Sequence, residues 1–268
     1  MEVVFRKPEE RFRWLVKQYE QIIAIESTDI LEKFIPREDV SLVFHFGTSP
    51  YLIEPQRGYL PSFFIAPVVS DCKLMRINAS NLSFIVTCIP SVLSKVFKID
   101  INAGNNIYVK LPDNPFFGLW RELSSMDSFT DKIDCFQMFL ETRAGEEYTP
   151  DHIDIFYNTI IDPETEKSVS EIETEFTVSP RTIQRQFIKR VGVSPKKLER
   201  ITRLNRVWES ISGMDTIDYQ NLIYKGGYYD QSHFIKDFKE ITGETPDKFF
   251  RRDLSNVRIM SGKECEQG

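Results

Sequence analysis

The stretch SPRTIQRQFIKRVGVSP at residues 179–195 is repeated in outline by DQSHFIKDFKEITGETP at residues 230–246. Both contain the pattern F-x-x-x-x-G-x-[ST]-P, and Phe187 of the first stretch aligns with Phe238 of the second, 51 residues later. A Ser or Asp before the first helical position is a favourable N-cap, and a glycine after the last one ends a helix. Each stretch therefore predicts a capped amphipathic helix, with the next helix starting at the Ser/Thr-Pro pair.

A shorter helix and a tight turn are predicted before each of these helices. VSEIETEF (169–176) has apolar residues at helical spacing, and TIDYQNLIYKG (216–226) occupies the equivalent place in the second half. Between the halves, KKLERITRLNRVWESI (196–211) carries a single apolar stripe, as one long helix would. The sequence thus predicts an all-α domain in which a long helix joins two helix-turn-helix units.

The outer faces of the two capped helices carry side chains suited to DNA. In the first unit Ile183 and Phe187 form the inner face, and the residues that project away from it include Arg181, Gln184 and Arg185. Arg bonds bidentately to guanine and Gln to adenine in the major groove. The outer face of the second unit presents Gln231, Ser232, His233 and Lys236. His233 is equally suited to contacting DNA and to packing beside Phe234. Held by a stiff connector, the two helices would enter successive major grooves about 34 Å apart.

Charge is segregated along the chain. The net charge of −6 argues against a generally basic nucleic-acid-coating protein. Residues 151–175, however, hold eight acidic side chains and one basic one, whereas residues 181–206 hold nine basic side chains and only Glu199 as an acid. Local cations are what phosphate binding requires, because counterion release depends on the charges near the backbone. On charge alone, a solvated helix face explains the basic run equally well.

Residues 162–252 closely resemble the AraC/XylS family of bacterial transcription regulators. The resemblance rests on SPRTIQRQFIKRVGVSPKKL, on the R-x-x-R arrangement of Arg203 and Arg206, and on GYYDQSHFIKDFKEITGETPDKFFRR. It implies base contacts for Arg181, Gln184 and Arg185 in the first unit and for Gln231, Ser232 and Lys236 in the second, and it assigns Thr182 and Lys189 to phosphates.

The second unit departs from the family pattern. Ile223 and Tyr224 stand where the family often has a buried Ala, and Lys225 and an additional Gly226 precede the usual Gly-aromatic pair. Two acidic residues, Asp218 and Asp230, add negative charge to this half. We therefore expect the second unit to contact DNA mainly through the backbone.

The region before this domain is predicted to be β-rich with a helical tail. Short segments rich in Val, Ile and Phe, broken by Pro or Gly, are typical of a sandwich or barrel; they are VSLVFHF, SFFIAPVV, KLMRINA, LSFIVTCI and NNIYVKL. An amphipathic stretch, residues 11–25, precedes them. After Pro112 three helices are predicted, one of them capped by Ser128. FIPREDVSLVFHF and LSFIVTCIPSVLSKVF are similar to the cupin-like domains that bind an effector or dimerise in such regulators.

The predicted fold class is therefore α+β with two domains. The boundaries are a β-rich sensing or dimerisation domain at residues 1–160, an AraC-type DNA-binding domain at 161–258 and a flexible tail at 259–268. No run of eighteen apolar residues or signal pattern occurs, so we expect a cytoplasmic protein with no membrane partner.

The sequence lacks the residue patterns that several classes of enzyme and metalloprotein require. The cysteines at 72, 88, 135 and 265 form no C-x-x-C pair, and the histidines at 45, 152 and 233 have no ligand spacing, so neither a metal nor another cofactor is expected. A cupin enzyme would need ligands beside His45, which is instead expected to be a half-buried strand residue. An alkylation-repair regulator would need an activated cysteine beside His and Arg. We expect no enzymatic activity.

The sequence thus predicts a transcription regulator that binds double-stranded DNA and RNA polymerase, controlled by a small effector or by homodimerisation through the N-terminal domain. Activation and repression stay open. The competing hypothesis is a small-molecule-binding protein whose helical domain serves protein contacts only, which the acidic net charge favours.

Overall fold

A computed structural model of the chain describes residues 2–24, 29–54, 57–104, 107–143, 148–165, 167–211 and 223–251, without the side chains of 209–211. The N-terminal part is β-rich, as predicted. Its strands in the described ranges are β1 (Glu2–Arg6), β2 (Val16–Ile23), β3 (Ile30–Phe34), β4 (Val40–Gly47), β5 (Tyr51–Glu54), β6 (Gly58–Tyr59), β7 (Phe63–Ala66), β8 (Lys73–Ile77), β9 (Asn81–Cys88) and β10 (Val109–Lys110). A short 3-10 helix, Glu10–Phe12, lies between β1 and β2.

The strands form two antiparallel sheets. The larger sheet has the order β1-β2-β9-β4-β7-β10, and the smaller one has the order β3-β8-β5-β6. Strand β4 lies inside the larger sheet and is buried along nearly its whole length, which explains its continuous apolar sequence. On the side where the sheets meet, a compact cluster of apolar side chains packs between them: Val43, Leu52, Leu60, Phe64 and Met75.

One expectation about the N-terminal part is wrong. The amphipathic stretch at residues 11–25 does not precede the β-rich region but supplies β2, which pairs with β1 and β9. Val16, Tyr19 and Ile22 have helical spacing, but both faces of the strand are largely covered. Buried Glu20 accepts hydrogen bonds from Arg37 and Thr87, so a charged residue of this stretch lies inside the protein.

From residue 90 onward, nine helices have both ends within the described ranges. They are α1 (Pro90–Phe97), α2 (Asp113–Ser124), α3 (Phe129–Glu141), α4 (His152–Ile161), α5 (Val169–Thr174), α6 (Pro180–Val191), α7 (Pro195–Ile211), α8 (Gln231–Thr242) and α9 (Pro246–Phe250). The Ser128 side chain caps α3 by accepting a hydrogen bond from Asp131 N, as predicted. No helix in this part of the chain combines the length and apolar character needed to cross a membrane.

The N-terminal part and the helix-turn-helix units share buried surfaces. One apolar cluster runs from the larger sheet through α2 and α3 to α6, where the Phe156 and Phe187 ring centroids lie 5.1 Å apart. A second cluster holds the second unit together around Trp208 and Phe238, and Ile35 of the N-terminal part is fully buried within it. The division near residue 161 stays a prediction, because α4 contacts both parts, and the predicted tail at 259–268 lies outside the described residues.

Candidate nucleic-acid interface

Local hydrogen bonds fix the start of each helix of the first unit. Ser168 and Glu171 form a reciprocal capping box at α5, with Ser168 N donating to Glu171 Oε2 over 2.7 Å. Ser179 caps α6 by accepting from Thr182 N over 3.4 Å, and Pro180 occupies the first helical position. The predicted Ser-Pro start is thus confirmed, and it sets the direction in which α6 leaves the turn.

Helix α6 has one buried face and one exposed face. Ile183, Phe187 and Val191 are fully buried, as their helical spacing predicts. The opposite side exposes four of the candidate DNA-binding residues: Arg181, Gln184, Arg185 and Lys189. Gly192 ends the helix in the left-handed region at φ 97°, and an added Cβ would lie 3.3 Å from Ile101 O of the N-terminal part. The predicted orientation of α6 therefore agrees with its packing.

The basic run divides into cations that bond to other groups of the protein and cations that have no such bond among the described residues. Six of its nine basic side chains bond to other described residues and stabilise the helices: Arg190, Lys196, Lys197, Arg200, Arg203 and Arg206. Among these, Arg200 bonds to Asp237 and Glu240 of α8. The three that have no side-chain hydrogen bond or ion pair within the described ranges are Arg181, Arg185 and Lys189, all on α6. The positive charge available to an external anion is therefore concentrated on one helix face.

Arg190 docks α6 onto the N-terminal part. It donates to both carboxylate oxygens of Asp151, to Asp154 Oδ1 over 2.7 Å and to the carbonyl of Ser91. Burial by itself would raise the pKa of Asp151, but hydrogen bonds and charge from Arg190, with Lys95 assisting, hold that pKa well below its usual range. The backbone adds a further bond, from Ile101 N to the Lys189 carbonyl at 3.0 Å.

Two candidate residues of the first unit already have partners. Gln184 Nε2 donates to Glu173 Oε1 over 2.9 Å, and the Thr182 hydroxyl accepts from Ser179 Oγ over 3.0 Å. Adenine contact by Gln184 would require it to leave Glu173. The guanidinium groups of Arg181 and Arg185, by contrast, have no such bond to break among the described residues.

The second unit also exposes its candidate DNA-binding residues on the side of the helix opposite the buried face, but these residues carry less positive charge than those of α6. Asp230 caps α8 by accepting from His233 N over 2.8 Å. Phe234 and Phe238 are buried, and three candidates are exposed on the opposite side, namely Gln231, Ser232 and Lys236. The His233 ring lies edge-on to Tyr228 at 5.4 Å, and its Nε2 is 3.8 Å from Asp237 Oδ2. His233 therefore packs within its own unit.

The described part of the second unit explains one departure from the family pattern. Tyr228 is buried in the cluster around Trp208, and a Cβ at Gly226 would lie 2.7 Å from the Tyr228 ring. Glycine is needed there because the aromatic ring packs directly on the backbone. Most of the predicted first helix of this unit, including Asp218, lies outside the described residues.

Two lysines that sequence reasoning missed lie beside α6. Lys95 and Lys98 of the N-terminal part line the same groove as Lys189 and Arg190. Lys95 bonds to Asp151 at 3.2 Å, whereas Lys98 is exposed and ends α1 in the left-handed region. They lie some ninety residues before the end of α6 in the chain, so no local sequence pattern could associate them with that helix. They extend the basic surface around the C-terminal end of α6.

A second candidate site is a cavity between the two sheets. Its volume is about 90 Å³, it is partly open to solvent, and most of its wall is aliphatic or aromatic. The four polar side chains in the wall are His45, Lys73, Asn81 and Ser83. His45 is only 5% exposed, so the expected half-buried strand position is wrong: its strand lies inside the larger sheet.

The helical region is similar to a known type of domain. Residues 172–252 match the family model described as a helix-turn-helix domain, which spans both stretches that share the repeated pattern. No curated protein sequence matches the chain.

Solved structures of ToxT from Vibrio cholerae are similar over most of the chain. One has 11% identity and a TM-score of 0.45 and covers 94% of this chain and 98% of its own. Another, from Vibrio cholerae O395, has 13% identity and a TM-score of 0.43, with coverages of 86% and 95%. A third, of wild-type ToxT with an unsaturated fatty acid bound, has 12% identity and a TM-score of 0.43, with coverages of 91% and 100%.

Proposed function

We propose that this chain is a sequence-specific DNA-binding transcription regulator and not an enzyme, since residues 172–252 match a helix-turn-helix domain and the sequence of this region resembles the AraC/XylS family. The observation that carries the proposal is the face of α6. Arg181, Arg185 and Lys189 are exposed and have no bonded partner among the described residues, while the other cations of the basic run bond to neighbouring groups of the protein. An acidic protein can bind DNA through such a face because the local cations neutralise the phosphates.

The two units are assigned different tasks. Helix α6 enters a major groove, where Arg181 and Arg185 contact base edges and Thr182 and Lys189 contact phosphates. Helix α8 lies in the next groove, with Gln231, Ser232 and Lys236 as its contacts. Its proposed contacts include one cation, Lys236, and no arginine, so we assign this helix to positioning the protein on the DNA backbone more than to selecting sequence.

The N-terminal part is proposed to control the DNA-binding units through a small effector held in the cavity. Phe34 lines the cavity, and the next residue, Ile35, is buried in the core of the second unit. Glu38, three residues further on, accepts a hydrogen bond from Asn205 of α7. A change in the cavity wall would therefore reach the connecting helix through a short, packed segment.

Binding to two further partners remains a prediction. RNA polymerase is expected because the chain resembles transcription regulators, and a second copy of the chain is expected through the N-terminal part.

Selection from random duplex DNA at low salt tests the proposal. The full chain should enrich a motif with two segments about one helical turn apart. The double variant Arg181→Ala/Arg185→Ala should enrich none, whereas Lys196→Ala, which removes a cation bonded to Glu199, should enrich the same motif. Failure of the wild-type chain to enrich any motif would favour the competing function, a small-molecule-binding protein whose helical domain contacts other proteins.

A further inference from the structure

An open groove lies between α1 of the N-terminal part and the C-terminal half of α6. Its volume is about 470 Å³. Four of the residues that line it are cations and one is a carboxylate, namely Lys95, Lys98, Lys189, Arg190 and Asp151. Positive charge concentrated in a groove attracts polyanions even when the net charge of the chain is negative, as it is here at −6.

Two of the four cations are not engaged by the protein. Arg190 and Lys95 are both bonded to the carboxylate of the groove. Lys98 and Lys189 are exposed and have no side-chain hydrogen bond or ion pair within the described ranges. Asp100, the carboxylate nearest to Lys98 in the sequence, does not line the groove. One unengaged lysine from the N-terminal part and one from α6 therefore line the same groove.

Hydrogen bonds hold α1 and the residues after it against α6. Arg190 donates to the carbonyl of Ser91 near the start of α1. Ile101 N donates to the Lys189 carbonyl over 3.0 Å, beyond the end of α1. The chain is thus bonded to α6 both before and after Lys98. These bonds fix the position of the Lys98 backbone relative to that of Lys189.

The backbone of Lys98 has a conformation that folding alone does not favour. Lys98 ends α1 at φ 55° and ψ 38°, and its N–H donates to the Ser94 carbonyl. Among the described residues it is the only one other than glycine with a positive φ. Glycine or asparagine usually occupies such a helix end, because a larger side chain crowds the backbone there. A lysine held in this conformation indicates a use for its charge.

The position of Lys189 on α6 connects the groove with the proposed DNA-binding face. Arg181, Arg185 and Lys189 follow one another at intervals of four residues, so they share one side of the helix. Lys189 lies about 12 Å further along the helix axis than Arg181, a distance comparable with the width of the major groove, about 12 Å. With Arg181 at the bases, Lys189 reaches a phosphate at the edge of the groove. The DNA backbone then passes the surface that Lys98 shares with Lys189.

We propose that the N-terminal part binds DNA directly, with Lys98 donating to a backbone phosphate next to the one held by Lys189. The proposal rests on the proposed DNA-binding function of α6. It extends the protein–DNA interface to a part of the chain outside residues 172–252, which match the helix-turn-helix domain. A phosphate contact carries no sequence information, so Lys98 adds affinity on every duplex.

The salt dependence of DNA binding by the full chain tests the contact. Fluorescence anisotropy gives the affinity for the selected duplex and for a random duplex over a series of salt concentrations. Lys98→Asn removes the charge and keeps a residue that tolerates the left-handed conformation. It should reduce the slope of log K against log salt by about one on both duplexes. Lys98→Arg should keep the wild-type slope.

Lys110→Asn is the matched control. Lys110 is exposed on β10 of the N-terminal part, does not line the groove, and has no side-chain hydrogen bond or ion pair in the described part of the chain. Its substitution removes the same charge from the same part of the protein and should leave the slope unchanged. An equal reduction in Lys110→Asn would show that only the net charge matters.

Urea unfolding separates the loss of charge from a loss of stability. Asparagine accepts the left-handed backbone more readily than lysine does, so the unfolding midpoint of Lys98→Asn should be no lower than that of wild type. A lower midpoint combined with a wild-type salt slope would mean that Lys98 serves the end of α1, and it would overturn the proposal.

Selected duplexes in which one phosphate at a time is replaced by a neutral methylphosphonate locate the contact. Wild type should lose affinity when the phosphate bound by Lys98 is neutralised, and Lys98→Asn should be insensitive to that replacement alone. The phosphate should adjoin the one at which Lys189→Ala becomes insensitive. A purely structural role of Lys98 would produce no such position.

The outcomes distinguish this inference from the proposed function. A selected motif together with a wild-type slope and wild-type methylphosphonate pattern in Lys98→Asn would reject this inference alone. Binding of random duplex that depends on Lys98, without enrichment of any motif, would reject the sequence-specific regulator alone. No binding of any duplex at low salt would reject both.

Discussion

His45 should make the folded state sensitive to mild acid. The pKa of its side chain is about 3 in the folded chain and about 6.5 when unfolded. Because the folded value is depressed, the unfolded chain binds the extra proton below pH 6.5, and stability present above that pH is lost as the pH falls toward 3. Between pH 7 and pH 5 the free energy of unfolding should drop by about 2 kcal/mol from this group.

Urea unfolding at the two pH values measures the effect. His45→Phe should show a smaller drop than wild type by about that amount, and His233→Gln, whose side chain is 39% exposed, should behave as wild type. The same pH dependence in His45→Phe and wild type would contradict the assignment of a buried neutral imidazole.

Lys189 is expected to contribute charge and no sequence preference. It is exposed near the C-terminal end of α6 and has no bonded carboxylate among the described residues. Lys189→Ala should weaken binding to selected and random duplexes alike and reduce the slope of log K against log salt by about one. Lys196→Ala is the matched control because that lysine, also exposed, lies on α7 and bonds to Glu199. A loss confined to the selected duplex would show that Lys189 contacts a base.

At the scale of elements, the docking of α6 depends on Arg190. Its partner Asp154 is 1% exposed, so removing the guanidinium leaves a buried carboxylate without its cation. Arg190→Met should lower the free energy of unfolding by about 3 kcal/mol. The exposed pair of Arg251 and Asp247 is the control, and Arg251→Met should cost less than about 1 kcal/mol. Equal effects in urea unfolding would mean that the docking contact is weak.

The helices were predictable from sequence because their signals are local. Ser128, Ser179 and Asp230 each cap the helix that follows, and the buried positions of α6 and α7 match the apolar spacing. Strand β2 was missed because both of its faces are covered, so apolar and polar residues no longer alternate. Helix α1 gave no clear signal either, since Ile89 and not a polar residue stands at its N-cap.

The candidate surface was predictable only in part. Composition identified the basic run, but it did not show which cations are internal. Arg190 bonds to Asp151 and Asp154, and Arg200 bonds to Asp237 and Glu240 across more than thirty residues of chain, so only the folded structure separates them from Arg181 and Arg185. The cavity depends on side chains from both sheets and has no sequence signature.

At the scale of the whole molecule, Ile35 ties the N-terminal part to the second unit. It is fully buried beside Trp208 and Phe238, and it follows directly on β3. Ile35→Ala should lower the free energy of unfolding by about 2–5 kcal/mol. It should also speed amide hydrogen exchange in α8 more than in β4, since the lost contact lies in the core that supports α8.

Leu31→Ala is the control for this contact. Leu31 lies on β3, the strand that ends directly before Ile35, and it is 57% exposed. Leu31→Ala should therefore change the free energy of unfolding by less than about 0.5 kcal/mol. Uniform acceleration of exchange in α8 and β4, or none, would indicate that the second unit is not held by the N-terminal part.

The most direct test of the regulator as a whole is the affinity of wild type and Arg185→Ala for the selected duplex, for its single-base-pair variants and for a random duplex, at one fixed salt concentration. Arg185→Ala should cost about 1–3 kcal/mol on the selected duplex and relax the preference at one base pair, with a much smaller loss on random DNA. An equal loss on selected and random DNA would contradict the claim that the exposed face of α6 determines which sequence the protein binds.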